Sequence, residues 1–445
     1  MRFRAVEMTT PPQNELFLIN PCASYRLIDA IQNSFTGNPF PHALVTLAAL
    51  TPVSYRVTFI NKKIFWKKKD FSAGKLVAIT CLTSAARHAY RLADRFRRAG
   101  SKVVLGGPHV SALPQEALQH ADSVVIGEAE SVWKDVLADF EAGRLKARYQ
   151  GEPLEDFFSP VYDYYRRMEP AFLSRLGLHI DRGCKYRCDF CARISEWCRS
   201  IKMEQVLQLV ERIKQAPRPF YLRKPFVVFR CDNIFSNPAY TKELFRKLAA
   251  FGVDWGANCS IDMCFDEEAL RLAEESGCRV LLIGFETIHP HKYKKTSLRQ
   301  VRSSEDYLTA LGNLRRHRIG AVGSFIVGAD EDGPADYIKL LWFLARARLW
   351  RSYLTLLTPF PGSRLFERLN AEGRIFSFNW TRYNFFNCVY KPKNMPVFSL
   401  YLWFYGVCLV SLLFSPQYIT MYLVALFLYQ LSYHFSYNFV SWLSR

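Results

Sequence analysis

Three cysteines, Cys184, Cys188 and Cys191, are crowded into the run Cys184-Lys-Tyr-Arg-Cys188-Asp-Phe-Cys191, whereas the other nine of the chain's twelve are scattered. A loop at a strand end can wrap three such thiolates around three irons of a 4Fe-4S cluster, which leaves the fourth iron open to a substrate or cofactor. The alternative is structural zinc, which normally wants four ligands and would draw its fourth from Cys198. With no secretory leader pattern ahead of them, the cysteines read as reduced thiols in a cytosolic compartment and not as a disulfide framework.

The elements that must position this loop alternate along the chain. From about residue 15 to 150, short apolar runs (Leu16 to Asn20, Tyr55 to Asn61, Lys75 to Thr80, Val103 to Gly107, Ser123 to Gly127) interleave with amphipathic stretches such as His42 to Leu50. A helix over Ala86 to Phe96 closes at Gly100. This pattern predicts an open parallel sheet covered by helices, with ligands beyond the carboxyl ends of its strands, where Gly106-Gly107-Pro108-His109 lies. Residues 151–173 carry three prolines and read as a linker. A second series follows, with strands expected at Leu176 to Asp181, Phe226 to Arg230, Asn258 to Asp262, Val280 to Glu286, Val322 to Gly328 and Tyr353 to Thr358. Helices are expected at Tyr240 to Phe251, stopped by Gly252, and at Asp266 to Ser276, capped by Asp266. Six strand-helix units fit a partial or full barrel.

The cysteine run, with Phe190 before Cys191, resembles the Cys-x3-Cys-x-aromatic-Cys motif of the radical S-adenosylmethionine superfamily. The likeness extends over about residues 15 to 395 to the subgroup with an N-terminal cobalamin-binding domain, which includes the anaerobic magnesium-protoporphyrin ester cyclase and the hopanoid methylases. It rests on FRCDNIFSNP (229–238), CSIDMCFDEEAL (259–270), GCRVLLIGFET (277–287), GSFIVGADED (323–332) and LTPFPGSRLFERLNAEGRI (357–375). The resemblance implies an α/β chain in which a Rossmann-like cobalamin-binding domain (1–150) and linker (151–173) precede a radical SAM barrel (174–375). A flanking segment (376–395) follows, and beyond the resemblance the charge-free tail itself reads as a hydrophobic helical hairpin (396–445). It further implies that S-adenosylmethionine chelates the open iron and is cleaved to a 5'-deoxyadenosyl radical, chemistry that no side chain can perform unaided. Phe190, Asp232, Ser260, Asp262 and Glu286 are the implied S-adenosylmethionine contacts. Thr80, Ser84, Gly106, Gly107, His109, Gly127 and Glu128 are the implied cobalamin contacts, with glycines admitting a bulky ligand to the backbone. The Asp-x-His-x-x-Gly motif that supplies a lower-face histidine in methionine-synthase-like domains is missing, which fits either cobalamin bound without that histidine or a domain without the cofactor.

With cobalamin the expected reaction is C-methylation; without it, a radical cyclisation or rearrangement. A tRNA methylthiotransferase would suit the net charge of +19, but that family needs three further cluster cysteines where only Cys22 and Cys81 occur, so no nucleic acid partner is expected. A non-catalytic membrane scaffold would require damaged radical machinery, and the motif is intact. Between Lys393 and Arg445 no charged side chain occurs, and Val397 to Phe414 and Tyr418 to Phe435 are each long enough to suggest a membrane hairpin. The alternative is a helical pair packed on the barrel. The hairpin predicts a lipophilic substrate and anchoring at the cytoplasmic side of a membrane, with a plainly cytoplasmic protein as the other reading, while the radical chemistry implies an anaerobic electron donor such as flavodoxin or ferredoxin. Lys62, Lys63, Lys67, Lys68 and Lys69 around Ile64, Phe65 and Trp66 form a loop for anionic headgroups or a solvated loop. His289, His291, Lys292, Lys294 and Lys295 either bind an acidic substrate or are surface charge.

Overall fold

The computed structural model describes residues 14–22, 41–63, 66–193, 198–217, 223–289 and 301–414. Two six-stranded parallel sheets organise the chain. The first contains β1 (Asn14–Asn20), β2 (Tyr55–Asn61), β3 (Leu76–Thr80), β4 (Lys102–Gly106), β5 (Ser123–Gly127) and β6 (Arg148–Gly151), in the order β2-β1-β3-β4-β5-β6. The central strands read as unbroken apolar runs, such as LVAIT in β3, because helices bury both faces of a parallel sheet. On one face the helix Ala86–Arg98 packs Ala89, Leu92 and Phe96; on the other, His42–Leu50 and Trp133–Glu141 pack Leu44, Leu47 and Trp133. Strand order reverses between β1 and β3, so the connections part at their carboxyl ends and leave a crevice there.

The second sheet runs β14-β13-β12-β11-β10-β7, from β7 (Leu178–His179) through β10 (Phe226–Arg230), β11 (Asp254–Cys259), β12 (Cys278–Glu286) and β13 (Gly320–Val327) to β14 (Arg351–Leu356). No pairing joins β7 to β14, so this is a partial barrel. The short pair β8 (Asp181–Arg182) and β9 (Arg199–Ser200) is antiparallel and flanks the cysteine loop.

Four expectations are refined by the structure. The third barrel strand is Asp254–Cys259, not Asn258 to Asp262; Ile261–Phe265 is a turn of 3-10 helix. Gly256 is why: a Cβ there would approach Val280 Cγ1 to 2.8 Å, so the residue that looks like a strand breaker permits the close pairing of β11 with β12. The presumed linker starts at the end of β6 and contains the helices Ser159–Arg166 and Pro170–Leu176, each with proline in its first turn, where a missing N–H costs nothing. The flanking segment joins both cores: Trp380, Tyr383 and Val389 pack with Phe96 and Leu105 of the first domain, while Cys388, Tyr390 and Met395 pack in the barrel core. Of the tail, Val397–Leu413 is one helix laid on the barrel through Leu400, Phe404 and Val407, and Tyr418 to Phe435 lies outside the described residues. Among the described residues no helix is long and apolar enough to cross a membrane. Elsewhere the caps hold as expected: Asp266 accepts from Ala269 N at 2.9 Å, and Gly252 ends its helix in the left-handed conformation.

Candidate active site

A cavity of about 390 Å³ opens between the two sheets. Its floor is apolar, formed by Leu44, Leu47, Ala78, Val104, Val125 and Trp133. Its rim is the strand-end turns Thr80, Gly106-Gly107-Pro108 and Gly127 to Glu130. Its far wall is the cysteine loop and its neighbours, Arg182, Gly183, Ala192, Arg193 and Asp232. Two of the rim glycines are required by the backbone. Gly107 has φ +103° and a Cβ on it would meet Cys81 N at 3.0 Å; Gly127 has φ +82° and a Cβ there would collide with Gly151 O. A bulky ligand with an apolar tail and a face turned to the cysteine loop fits this shape, as expected of cobalamin.

Thr80, Gly106, Gly107, Gly127 and Glu128 therefore line the cavity, and Ser84 and His109 do not. His109 is a correction. It is fully buried on the opposite face of the sheet, 3.5 Å from Glu116 and edge-on to Trp380 at 5.1 Å, because the helix Pro108–Ala112 turns it toward the flanking segment. Glu128 reaches the wall, but its carboxylate is taken by Arg199, at 3.1 Å from Nη1, and by Arg182, at 3.0 Å. Arg182 also meets Glu130 at 2.8 Å, and both guanidiniums lie over the Phe157 ring. This buried ion-pair cluster ties the turn after β5 to the strands on either side of the cysteines.

Cys184 is buried, and Cys188 and Cys191 are half-buried on a loop tightened by Cys191 N donating to Cys188 O at 3.1 Å. Among the described residues no three His, Cys, Asp or Glu side chains converge on one point as a single ion demands. A cluster does not require it, since each thiolate holds a different iron. Arg193 supplies compensating charge, with its guanidinium 3.7 Å from Cys191 Sγ and 3.5 Å from Asp232. Cys198 is not a fourth ligand in waiting: burial, and then the charge of Asp181, push its thiol up to about 12. Asp181 is itself pushed up to about 8, by burial first and then by the charge of Asp232.

The other residues implied for S-adenosylmethionine surround the loop. Phe190 packs on the barrel core. Ser260 Oγ bonds to Asp262, whose other oxygen accepts from Lys185 Nζ at 2.7 Å, so the turn after β11 grips the loop through its lysine. Glu286 ends β12 at a register shift with φ +64°, a strained conformation for a side chain of its size and one that concentrates at functional sites. Gly284 permits the turn, because a Cβ on it would collide with the Glu286 carboxylate. His289 bonds to Asp336 at 2.8 Å, while His291, Lys292, Lys294 and Lys295 lie outside the described residues. Ile64 and Phe65 of the basic loop are also outside them, and Trp66 packs inward on Phe71 and Phe96.

Sequence reasoning missed a histidine pair in the cavity wall. The His42 and His179 rings stand 3.9 Å apart, one from each domain. Burial lowers the pKa of both, to about 3 for His42, where the Leu176 carbonyl acts weakly against it. His42 Nε2 donates to that carbonyl at 3.2 Å, which leaves Nδ1 to accept from the Tyr165 hydroxyl at 3.1 Å. Arg182, next to the motif, could have been noticed as a charge in a strand; nothing marks His42.

The comparisons with known proteins agree with this geometry. Residues 56–137 match the B12 binding domain family and residues 178–344 the radical SAM superfamily. The bacteriochlorophyllide d C-12(1)-methyltransferase of Chlorobaculum tepidum is 30% identical over 80% of this chain and 78% of its own length. The bacteriochlorophyllide d C-8(2)-methyltransferase of the same organism is 27% identical over 80% of this chain and 81% of its own. In structure, the radical S-adenosylmethionine methyltransferase TsrM from Kitasatospora setae, solved with cobalamin and a 4Fe-4S cluster, superposes with a TM-score of 0.60 at 16% identity, covering 81% of this chain and 78% of that one. That likeness is one of fold. The two matched domains meet at the cavity and the cysteine loop, and the chain belongs to the radical S-adenosylmethionine methyltransferases that carry an N-terminal B12 binding domain, with a 4Fe-4S cluster, S-adenosylmethionine and cobalamin as its cofactors.

Proposed function

We propose that the chain methylates a carbon atom of a lipophilic, ring-containing small molecule. The observation that carries this reading is one continuous cavity whose floor lies in the B12 binding domain and whose far wall is the cysteine loop. When bound, cobalamin supplies a transferable methyl group, and the cluster with S-adenosylmethionine supplies the radical that opens a C–H bond. The chain's own residues hold and shield. Cys184, Cys188 and Cys191 would ligate the cluster, with Arg193 offsetting their charge. Asp232, just after β10, and Glu286, at the end of β12, would receive the amino and ribose groups of S-adenosylmethionine. Leu44, Leu47 and Trp133 would exclude water from the cobalamin tail.

The substrate class is supported by the relatives, two of which methylate bacteriochlorophyllide d and one of which is a hopanoid C-2 methylase. The test is anaerobic turnover of reconstituted protein with a chlorin carboxylic acid, reduced flavodoxin and S-adenosylmethionine carrying a trideuterated methyl group. A product that retains the whole labelled methyl on carbon, formed together with 5'-deoxyadenosine, is expected. Formation of 5'-deoxyadenosine with a rearranged, unlabelled product would replace methylation with radical cyclisation.

A further inference from the structure

The helix Val397–Leu413 is apolar on every side and carries no charged residue. Its buried stripe is Leu400, Phe404 and Val407, yet the opposite side faces outward with Phe398 74%, Leu402 61%, Leu409 69% and Leu413 71% exposed. An outward helix face in water is ordinarily polar. The helix packs beside Pro334–Ala347, with Trp403 stacked on Tyr337 at 5.7 Å, and that neighbour also exposes Ile338 and Trp342, the latter by 70%. Trp342 borders a cleft with Arg302, Lys339 and Arg346, of which Arg346 pairs with Glu305 at 2.6 Å. Lys391 and Lys393 are exposed just ahead of the apolar helix.

We propose that this face docks on an anionic lipid surface. The helix lies in the plane of the membrane with Phe398, Leu402 and Leu409 in the acyl boundary and Trp342 and the neighbouring cations at headgroup level, an arrangement of large apolar, indole and basic groups suited to that interface. Charge selects lipid over a second copy, because a chain of net charge +19 repels itself and is drawn to an anionic surface. The sequence argues the same way, since Ser415 to Ser444 continues without Asp, Glu, Lys or Arg. With Leu400, Phe404 and Val407 buried on the barrel, the helix would lie along the membrane surface.

The inference goes beyond the methyl-transfer reading and is tested without turnover. Full-length holoprotein is floated with vesicles of phosphatidylglycerol and phosphatidylcholine, and with phosphatidylcholine alone, alongside a Leu402→Asp/Leu409→Asp variant. Both substituted side chains face outward, so the fold is kept, which circular dichroism and retained cobalamin verify. Wild type should float with the anionic vesicles, more weakly with neutral ones, and the variant's bound fraction should fall by about tenfold or more. Equal flotation of the variant would assign attachment to residues 415–445 and overturn the docking face. Light scattering that finds a wild-type dimer, dissolved by the variant, with neither protein binding vesicles, would assign the face to a second copy and overturn it too.

Discussion

Cys198 lies seven positions from Cys191 and shares its neighbourhood, yet the two have different chemistry: one sulfur faces the Arg193 guanidinium and the other is buried against Asp181. A thiolate is the iron ligand, and burial against a carboxyl keeps Cys198 protonated. Each of Cys184→Ala, Cys188→Ala and Cys191→Ala should therefore abolish 5'-deoxyadenosine formation and the iron-sulfur absorbance, while Cys198→Ala keeps both. At Gly107 the constraint is space and backbone together. Gly107→Val forces a β-branched residue to φ +103° against Cys81 and should cost about 1–3 kcal/mol in chemical unfolding and prevent hydroxocobalamin from surviving gel filtration. Retention at wild-type level would show that the cofactor does not enter by this turn. Gly106 is different, because its Cβ would be in ordinary contact 3.8 Å from Val125 O, so Gly106→Ala should be mild. The sequence marked both glycines, but only their conformations separate them.

At the scale of elements, the start of the helix His42–Leu50 and the strand β7 meet through two imidazoles packed 3.9 Å apart and tilted by 34°. Their pKa values are depressed on folding, chiefly by burial, with Arg182 and Arg230 adding repulsion. Unfolded histidine takes a proton near pH 6.5, and the folded pair resists until far lower pH, so the unfolded state binds more protons across that window. Their contribution is whole above about pH 6.5 and is lost as pH falls toward 3, with a slope of about 1.4 kcal/mol per pH unit for each histidine. Urea unfolding at pH 7.5 and 5.5 should show wild type losing more stability than a His42→Gln/His179→Gln variant. Parallel losses would place the acid sensitivity elsewhere. Neither residue could be read from the sequence as a pair, because they are far apart in the chain and each lies beside apolar neighbours typical of a core.

Across the whole molecule, the two domains are joined by charge as well as by packing. Glu128 and Arg199 are each less than a tenth exposed and neutralise one another across the boundary, with Arg182 and Glu130 completing the cluster. Removing Arg199 takes one of two guanidiniums from the buried Glu128 carboxylate and leaves it Arg182 alone, so Arg199→Met should destabilise the protein by about 1–3 kcal/mol. The double variant Arg199→Met/Glu128→Gln should recover part of that loss, as measured by chemical unfolding. Because Arg182 immediately precedes Gly183-Cys184, the same cluster sets where the cysteine loop stands relative to the cavity. Cobalamin held by the turns after β3, β4 and β5 would bind the folded state alone and should raise the unfolding midpoint. Thermal scans with and without hydroxocobalamin measure that shift, and none is expected in the Gly107→Val protein.

The amino-acid sequence alone determined the local features: the three-thiolate motif, strands read as apolar runs, the Asp266 cap, the Gly252 stop and the two-domain alternation. These follow from short-range chemistry, in which spacing, propensity and capping act over a few residues. The third barrel strand was misplaced because Gly256 is tolerated only where Val280 of a neighbouring strand presses on it. The direction of His109 escaped for a similar reason, since Glu116 and Trp380 hold it away from the turn in which it lies. The fate of Glu128, the pairing of His42 with His179 and the outward apolar side of Val397–Leu413 were likewise decided by tertiary structure. In each case the partner is remote in sequence, and burial, charge pairing and backbone contact are properties of what a residue meets and not of the residue itself.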